Sequence, residues 1–385
     1  MANRKSRSGP PPPRKRRAIA AASTISELPD DIICSILARI PDIKSLVGCK
    51  RVCKTWRNLI LQPSFAKLHL SRRSFPLSLI LYRPSDAPTN PAHFGILELS
   101  DDPASLSHRN ATVKFRSDIY IPHKGQRRRV IGACNGLVCF RVDNDIVVCN
   151  PILPGRHFVL PKLPKLAQLR QSDLRFGFGF SPLSDEYKVL TCTQRWGNRF
   201  SYVTFDIFTL GRDDIWRSIG GHYEQQFPHF YVDDGFVFIN GALHWLGLDR
   251  VSIFLCYFDV EKEELGILSL PCDIGSMSYL GVLDDFLYLG DIRSSSDVNL
   301  WVMEDYIQTG AWSLKWVVKL QSLRMLVQPI KFLKDGSVLV IFNNKFLGSL
   351  NPQTGVTKRI TYHGVRFWTK SIAHTPSFIC PPWLL

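Results

Sequence analysis

The pattern of apolar and polar positions divides the chain into two unlike parts. Residues 28–61 carry the helical pattern. Leu28-Pro29-Asp30-Asp31 reads as a helix start, with proline in the first turn and two aspartates at the positive end of the helix dipole. Ile32, Ile33, Ile36, Leu37 and Ile40 follow on one broad face, and Pro41 stops the helix. A short second helix is predicted from about Ile43 to Val47, and Leu46 falls within it. In a third, Val52, Cys53, Trp56, Leu59 and Ile60 share a face opposite Lys50, Arg51, Lys54 and Arg57, with Pro63 just beyond the end. Three helices in so short a stretch bury too little surface to stand alone. Their apolar face must be shared with a partner, or packed as a cap on the chain's own larger domain.

Beyond Leu70 the pattern changes to short strand-like runs separated by turn residues, among them Leu77–Tyr82, Gly136–Phe140, Tyr202–Phe208, Phe254–Phe258 and Ser337–Phe342. A strand ending in an acid or asparagine recurs at Glu98, Asn150, Asp206, Asp259, Glu304 and Asn351. A second strand type recurs out of phase, beginning near Gly136, Glu186, Gly241, Phe286 and Gly336. A period of about 45–55 residues with several strands per unit is the signature of a β-propeller blade. Six marks predict about six blades, with the run Phe367 to Ile379 closing the ring. The alternative is a β-sandwich with evenly spaced strands. The expected fold is therefore an α+β multidomain chain: residues 1–25 a disordered basic tail, 26–70 a small three-helix module, and 71–385 a mainly β domain.

Composition adds the tail and removes some functions. Of a formal net charge of +15, residues 1–17 supply +7 with no acid, leaving +8 for the rest. So thin a charge gives no reason to expect nucleic-acid binding by the folded part. Arg14, Lys15, Arg16 and Arg17 are a candidate nuclear-import signal or simply a solvated run. The apolar stretch after them has five residues, short of the roughly 7–15 of a secretory signal. No run reaches the ~18 apolar residues of a membrane span. The expected location is nucleus, cytoplasm or both, with no membrane partner.

The order of residues in the helical part carries more than a period. Leu28-Pro29-x-Asp31, Ile36-Leu37-x-Arg39-Ile40-Pro41, Lys44-Ser45-Leu46 and Arg51-Val52-Cys53-Lys54-x-Trp56-Arg57-x-Leu59-Ile60 together resemble the F-box of plants. The resemblance implies docking on a SKP-type adaptor held by a cullin–RING ubiquitin ligase. It assigns adaptor contact to Leu28, Pro29, Ile32, Ile33, Ile36, Leu37, Ile40, Pro41, Leu46, Val52, Cys53, Trp56, Leu59 and Ile60, with Trp56 also a core position that orients the third helix. The β region is similar to the kelch-like F-box-associated domain of the same family. The matching stretches are Gly132-x-Cys134-Asn135-Gly136-Leu137-Val138-Cys139, Asn150-Pro151, the run from Gly177 to Val189, and Gly241-Ala242-Leu243-His244-Trp245. The paired glycines of strict kelch repeats are not clear, which leaves five or seven blades open.

Catalytic and cofactor motifs are missing. Gly177-Phe178-Gly179 lacks the third glycine of a dinucleotide loop, and no phosphate-binding Gly-Lys-Ser/Thr loop or Gly-x-Ser-x-Gly elbow occurs. Cys134 and Cys139 lack a second ligand pair at zinc spacing and read as strand cysteines. No cofactor is expected, and His244-Trp245 reads as packing. Recognition chemistry falls on two loops rich in arginine and aromatics: Arg195, Trp196 and Arg199 in one, Tyr223, His229 and Tyr231 in the other. The expected function is a non-catalytic substrate receptor that brings a target protein to the ligase. A propeller lectin or small-molecule sensor, with the helices as a cap, is the alternative. A propeller hydrolase would need an acid–base constellation that the sequence does not display.

Overall fold

The computed structural model describes residues 28–40, 43–71, 77–82, 94–99, 115–117, 128–153, 155–164, 174–196, 201–219, 229–230, 235–249, 252–275, 278–292, 297–306, 310–319, 327–343, 346–360 and 370–384. The first helix, α1 (Asp30–Leu37), starts where its sequence predicts, but Pro29 caps it from outside. The Pro29 carbonyl accepts from the amides of Ile32 and Ile33, both at 3.1 Å. After Leu37 the chain turns, so Ile40 lies past the helix end.

α2 (Ile43–Cys49) follows, then α3 (Lys54–Ile60). Val52 and Cys53 precede α3 instead of lying on its face: Cys53 has extended backbone (φ −155°), and its Sγ accepts the Trp56 amide at 3.4 Å. Pro63, expected only to follow the last helix, opens a fourth, α4 (Pro63–Ser71), where proline loses nothing at a first-turn position.

Most of the rest of the described chain forms six antiparallel sheets, each a propeller blade, and one 3-10 turn, Pro382–Leu384, lies outside them. Blade 1 holds β1 (Leu77–Tyr82), β2 (Phe94–Leu99) and β3 (Phe115–Ser117). Blade 2 holds β4 (Arg128–Cys134), β5 (Leu137–Val142), β6 (Asp145–Cys149) and β7 (His157–Val159). Blade 3 holds β8 (Leu174–Ser181), β9 (Glu186–Trp196), β10 (Ser201–Thr209) and β11 (Arg217–Ile219). In blade 4 the inner strand is interrupted: β12 (His229–Phe230) and β13 (Val237–Ile239) pair with opposite ends of β14 (Ala242–Leu248). β15 (Ile253–Asp259) and β16 (Glu264–Leu268) complete it. Blade 5 is β17 (Tyr279–Leu283), β18 (Phe286–Ile292), β19 (Asp297–Asp305) and β20 (Ala311–Lys319). Blade 6 is β21 (Val327–Phe332), β22 (Val338–Phe342), β23 (Phe346–Leu350) and β24 (Thr357–Arg359). The last strand, β25 (Lys370–His374), returns to blade 1 and pairs with β1, closing the ring as expected from residues 367–379.

Both repeat marks find a structural meaning. The acid-or-asparagine marks fall on β2, β6, β10, β15, β19 and β23 or directly after them, the third strand position of every blade. The out-of-phase marks introduce β5, β9, β14, β18 and β22, the second position. Each blade has two faces to bury, and the next blade covers each. In β22 all five residues are buried: Val338, Val340 and Phe342 face blade 5, while Leu339 and Ile341 pack with Leu79 of blade 1. Alternation with apolar residues on both faces explains why second strands read as continuous apolar runs.

Candidate functional site

The helical module separates its apolar residues into an inside and an outside. On α1, Ile33 and Leu37 are one turn apart and buried, at 2% and 1% exposure. Ile32 and Ile36, one residue earlier in each case, are 44% and 45% exposed. Adjacent residues are about 100° apart around a helix, so the broad apolar face divides: Ile33 and Leu37 turn inward, Ile32 and Ile36 outward.

The inner face joins Leu46, Leu59, Ile60, Phe65 and Ala66 in a core shared with blades 1 and 2. The outer set is Leu28 (37%), Pro29, Ile32, Ile36, Val52 (63%) and Cys53. Ile40 and Trp56 are half-buried, and Pro41 lies outside the described residues. Of the fourteen motif positions, Ile33, Leu37, Leu46, Leu59 and Ile60 thus shape the module from within and present no surface. Leu61, absent from the motif, is 42% exposed directly after α3. Exposed Ile, Val and Leu at this density on so small a unit form an apolar surface that no element among the described residues covers.

The module sits at one end of the propeller. Lys67 of α4 pairs with Asp185 at 2.7 Å, in the turn between β8 and β9. From that turn β9 runs eleven residues, so its far end at Trp196 is roughly 33 Å away. β10 begins there, at Ser201, and β11 runs toward the same end, stopping at Ile219 opposite Phe205. Both loops predicted for recognition therefore depart from strand ends opposite the helices. Arg195 and Trp196 close β9, and His229 opens β12. Arg199, Tyr223 and Tyr231 lie outside the described residues, as do Arg14, Lys15, Arg16 and Arg17.

The titratable groups with good partners serve the scaffold. Lys188 is buried, and its Nζ donates to Glu263 at 2.8 Å and to the Val260 carbonyl at 2.9 Å. Arg217 reaches Glu263 at 3.0 and 3.1 Å and Asp213 at 3.1 Å, so the cluster ties blade 3 to blade 4. Burial opposes ionisation of Asp213 and Glu263. It is outweighed by the Thr209 amide and Arg217 at the first, and by Arg217 and Lys188 at the second, which hold both carboxyls below their ordinary range. His244 is buried between the Tyr306 hydroxyl (2.8 Å) and the Val237 carbonyl (3.3 Å), beside buried Trp245. This fits the packing role expected of the pair.

Cys134 and Cys139 are buried in strands, and burial raises both thiols. No group of three or more metal-ligating side chains occurs among the described residues. Nor is any helix among them long and apolar enough to cross a membrane.

Comparison with known proteins agrees with this architecture. Residues 97–344 match the family described as F-box associated beta propeller domain, and residues 25–70 match the F-box-like family. Among curated proteins, the chain is 24% identical to F-box protein At3g07870 of Arabidopsis thaliana, over 91% of each chain. It is 26% identical to F-box/kelch-repeat protein At3g23880 of the same plant, over 85% of this chain and 88% of that one. Among solved structures, a six-bladed fungal lectin from Aleuria aurantia aligns over 75% of this chain and 97% of its own, at 8% identity and a TM-score of 0.37. TolB from Acinetobacter baumannii aligns over 77% and 71%, at 8% identity and a TM-score of 0.33. These last two likenesses are too distant to carry a functional argument. An F-box followed by a β-propeller is one architecture found among SKP–cullin–F-box substrate receptors, and F-box subunits are in general non-catalytic. The chain belongs to the F-box proteins that carry an F-box-associated β-propeller domain.

Proposed function

We propose that this protein is the substrate-receptor subunit of a SKP–cullin–F-box ubiquitin ligase. The observation that carries the reading is the module's apolar face, Leu28, Pro29, Ile32, Ile36, Val52 and Cys53, uncovered among the described residues, at the end of the propeller away from Trp196 and His229. That face docks the adaptor, and buried Ile33, Leu37 and Leu46 hold it in shape. The opposite end of the propeller captures a target protein, through the loops containing Arg195, Trp196 and Arg199 and Tyr223, His229 and Tyr231. The chain acts by proximity: it raises the effective concentration of target near the ligase and needs no catalytic group of its own. It works in the nucleus, the cytoplasm or both, the basic run Arg14 to Arg17 serving import.

The test is recovery of a SKP-type adaptor and cullin on the immobilised full chain. Wild type is compared with a Leu28→Ala, Pro29→Ala, Ile36→Ala variant. Loss of both partners is expected. Equal recovery by the variant rejects the assignment.

A further inference from the structure

The chain does not end at the strand that closes the ring. Beyond His374 it continues outside every sheet, across the module-side end of blades 2 and 3. Asn150 Nδ2 donates to the carbonyls of Ser377 (2.9 Å) and Ile379 (2.8 Å). Ser377 Oγ donates to the Asn135 carbonyl at 2.6 Å. Gly136 has φ +86°, and a side chain there would meet the Ser377 amide at 2.8 Å. Further along, Trp383 lies edge-on to Phe158 (5.7 Å) and Tyr187 (6.0 Å), in space that a side chain at Gly211 would fill. Leu384 is fully buried in the seam between blades 2 and 3.

Between these anchors Phe378, 1% exposed, turns to the helical module. Its ring meets Phe65 at 6.5 Å and His69 at 6.1 Å, both on α4, and Lys50 Nζ lies 5.6 Å above it. The segment thus holds the propeller through Asn150, Asn135 and Tyr187, and the module through one aromatic wedge. Three of the stretches that mark the β domain in the sequence form its seat.

We infer that Ser377–Leu384 is a strap that fixes the orientation of the helical module on the propeller, with Phe378 as the wedge. The strap is separate from ring closure, which β25 achieves alone by pairing with β1. It sets the module's exposed face and the far end of the propeller in one geometry. The inference concerns the chain's internal architecture and holds whether or not the module binds an adaptor.

Amide hydrogen exchange on the full chain tests it, comparing wild type with Phe378→Ala and Asn150→Asp. The aspartate keeps the oxygen that accepts from the Ile152 amide at 3.1 Å, and replaces the two donations to the strap with a buried carboxylate oxygen that the Ser377 and Ile379 carbonyls repel. Amides of α3 and α4 should exchange about tenfold faster or more in both variants, while β18 and β19 of blade 5 keep their wild-type rates. If Phe378→Ala does not fold, Asn150→Asp decides. Module exchange unchanged in folded Asn150→Asp overturns the strap. So does equal acceleration of the module and blade 5, which would make the segment an ordinary part of one cooperative core.

Discussion

Lowering the pH from 7.5 to 5 should destabilise the protein through two histidines that occupy the interior uncharged. His244 is enclosed by Val237 and Tyr306, and His374 donates from Nε2 to the Gly136 carbonyl at 3.1 Å. Burial pushes each pKa down to about 4, against nearby backbone carbonyls that favour the proton. In the unfolded chain both return to about 6.5.

The folded pKa is the lower one, so the unfolded state binds the proton first. The stability is present above pH 6.5 and is lost as the pH falls from there toward 4. At pH 5 the linkage amounts to about 2 kcal/mol per histidine, or about 4 kcal/mol for the pair. Asp213 and Glu263 have lowered pKa values, so their contribution is kept down to the ordinary carboxylate range near pH 4 and does not obscure this window. Urea unfolding followed by circular dichroism at half-unit steps measures the slope. His374→Gln keeps a donor toward Gly136 and cannot titrate, so it should lose about half of the pH dependence. A wild-type midpoint that is flat from pH 7.5 to 5, or a His374→Gln variant with the full slope, refutes the reasoning.

Two further perturbations separate interior from surface. Ile33→Ala and Ile32→Ala differ by one position on α1, yet the first should cost about 2–5 kcal/mol and the second under about 1 kcal/mol in chemical denaturation, because only Ile33 is enclosed. Equal costs would contradict the two-faced helix. Glu263→Ala strips buried Lys188 and Arg217 of a shared carboxylate and should destabilise by about 3 kcal/mol, whereas Lys67→Ala, losing an exposed pair, should cost under about 1 kcal/mol in the same assay.

Much of the architecture is legible in the sequence because repeat position maps directly onto strand position. Glu98, Asn150, Asp259, Glu304 and Asn351 each mark the end of a third strand, and the propeller follows from their spacing. Asp206 departs from the pattern by lying inside β10. Local chemistry hides other features. Pro63 reads as a stop and is a start, since proline suits both roles. Val52 and Cys53 match the apolar period of α3, but the Cys53 cap places them before it.

The module's apolar positions read as a single face, and which of two adjacent isoleucines is enclosed depends on what packs behind them. The contact of Asn150 with the strap spans 227 residues, beyond any local pattern. The stretches around Asn135, Gly136 and Asn150 mark the domain in the sequence, and their structural duty is to seat a C-terminal segment far away along the chain.

The proposed receptor role depends on adaptor docking at the module's outer face. Ile32 and Ile36 are each a little under half exposed, so docking has about 1 kcal/mol apiece left to gain from their burial. Calorimetric titration of a purified SKP-type adaptor into the full chain measures this directly. The Ile32→Ala, Ile36→Ala double variant should bind about 30-fold more weakly, with a nearly unchanged unfolding midpoint. An equal dissociation constant for wild type and the folded double variant would contradict the claim.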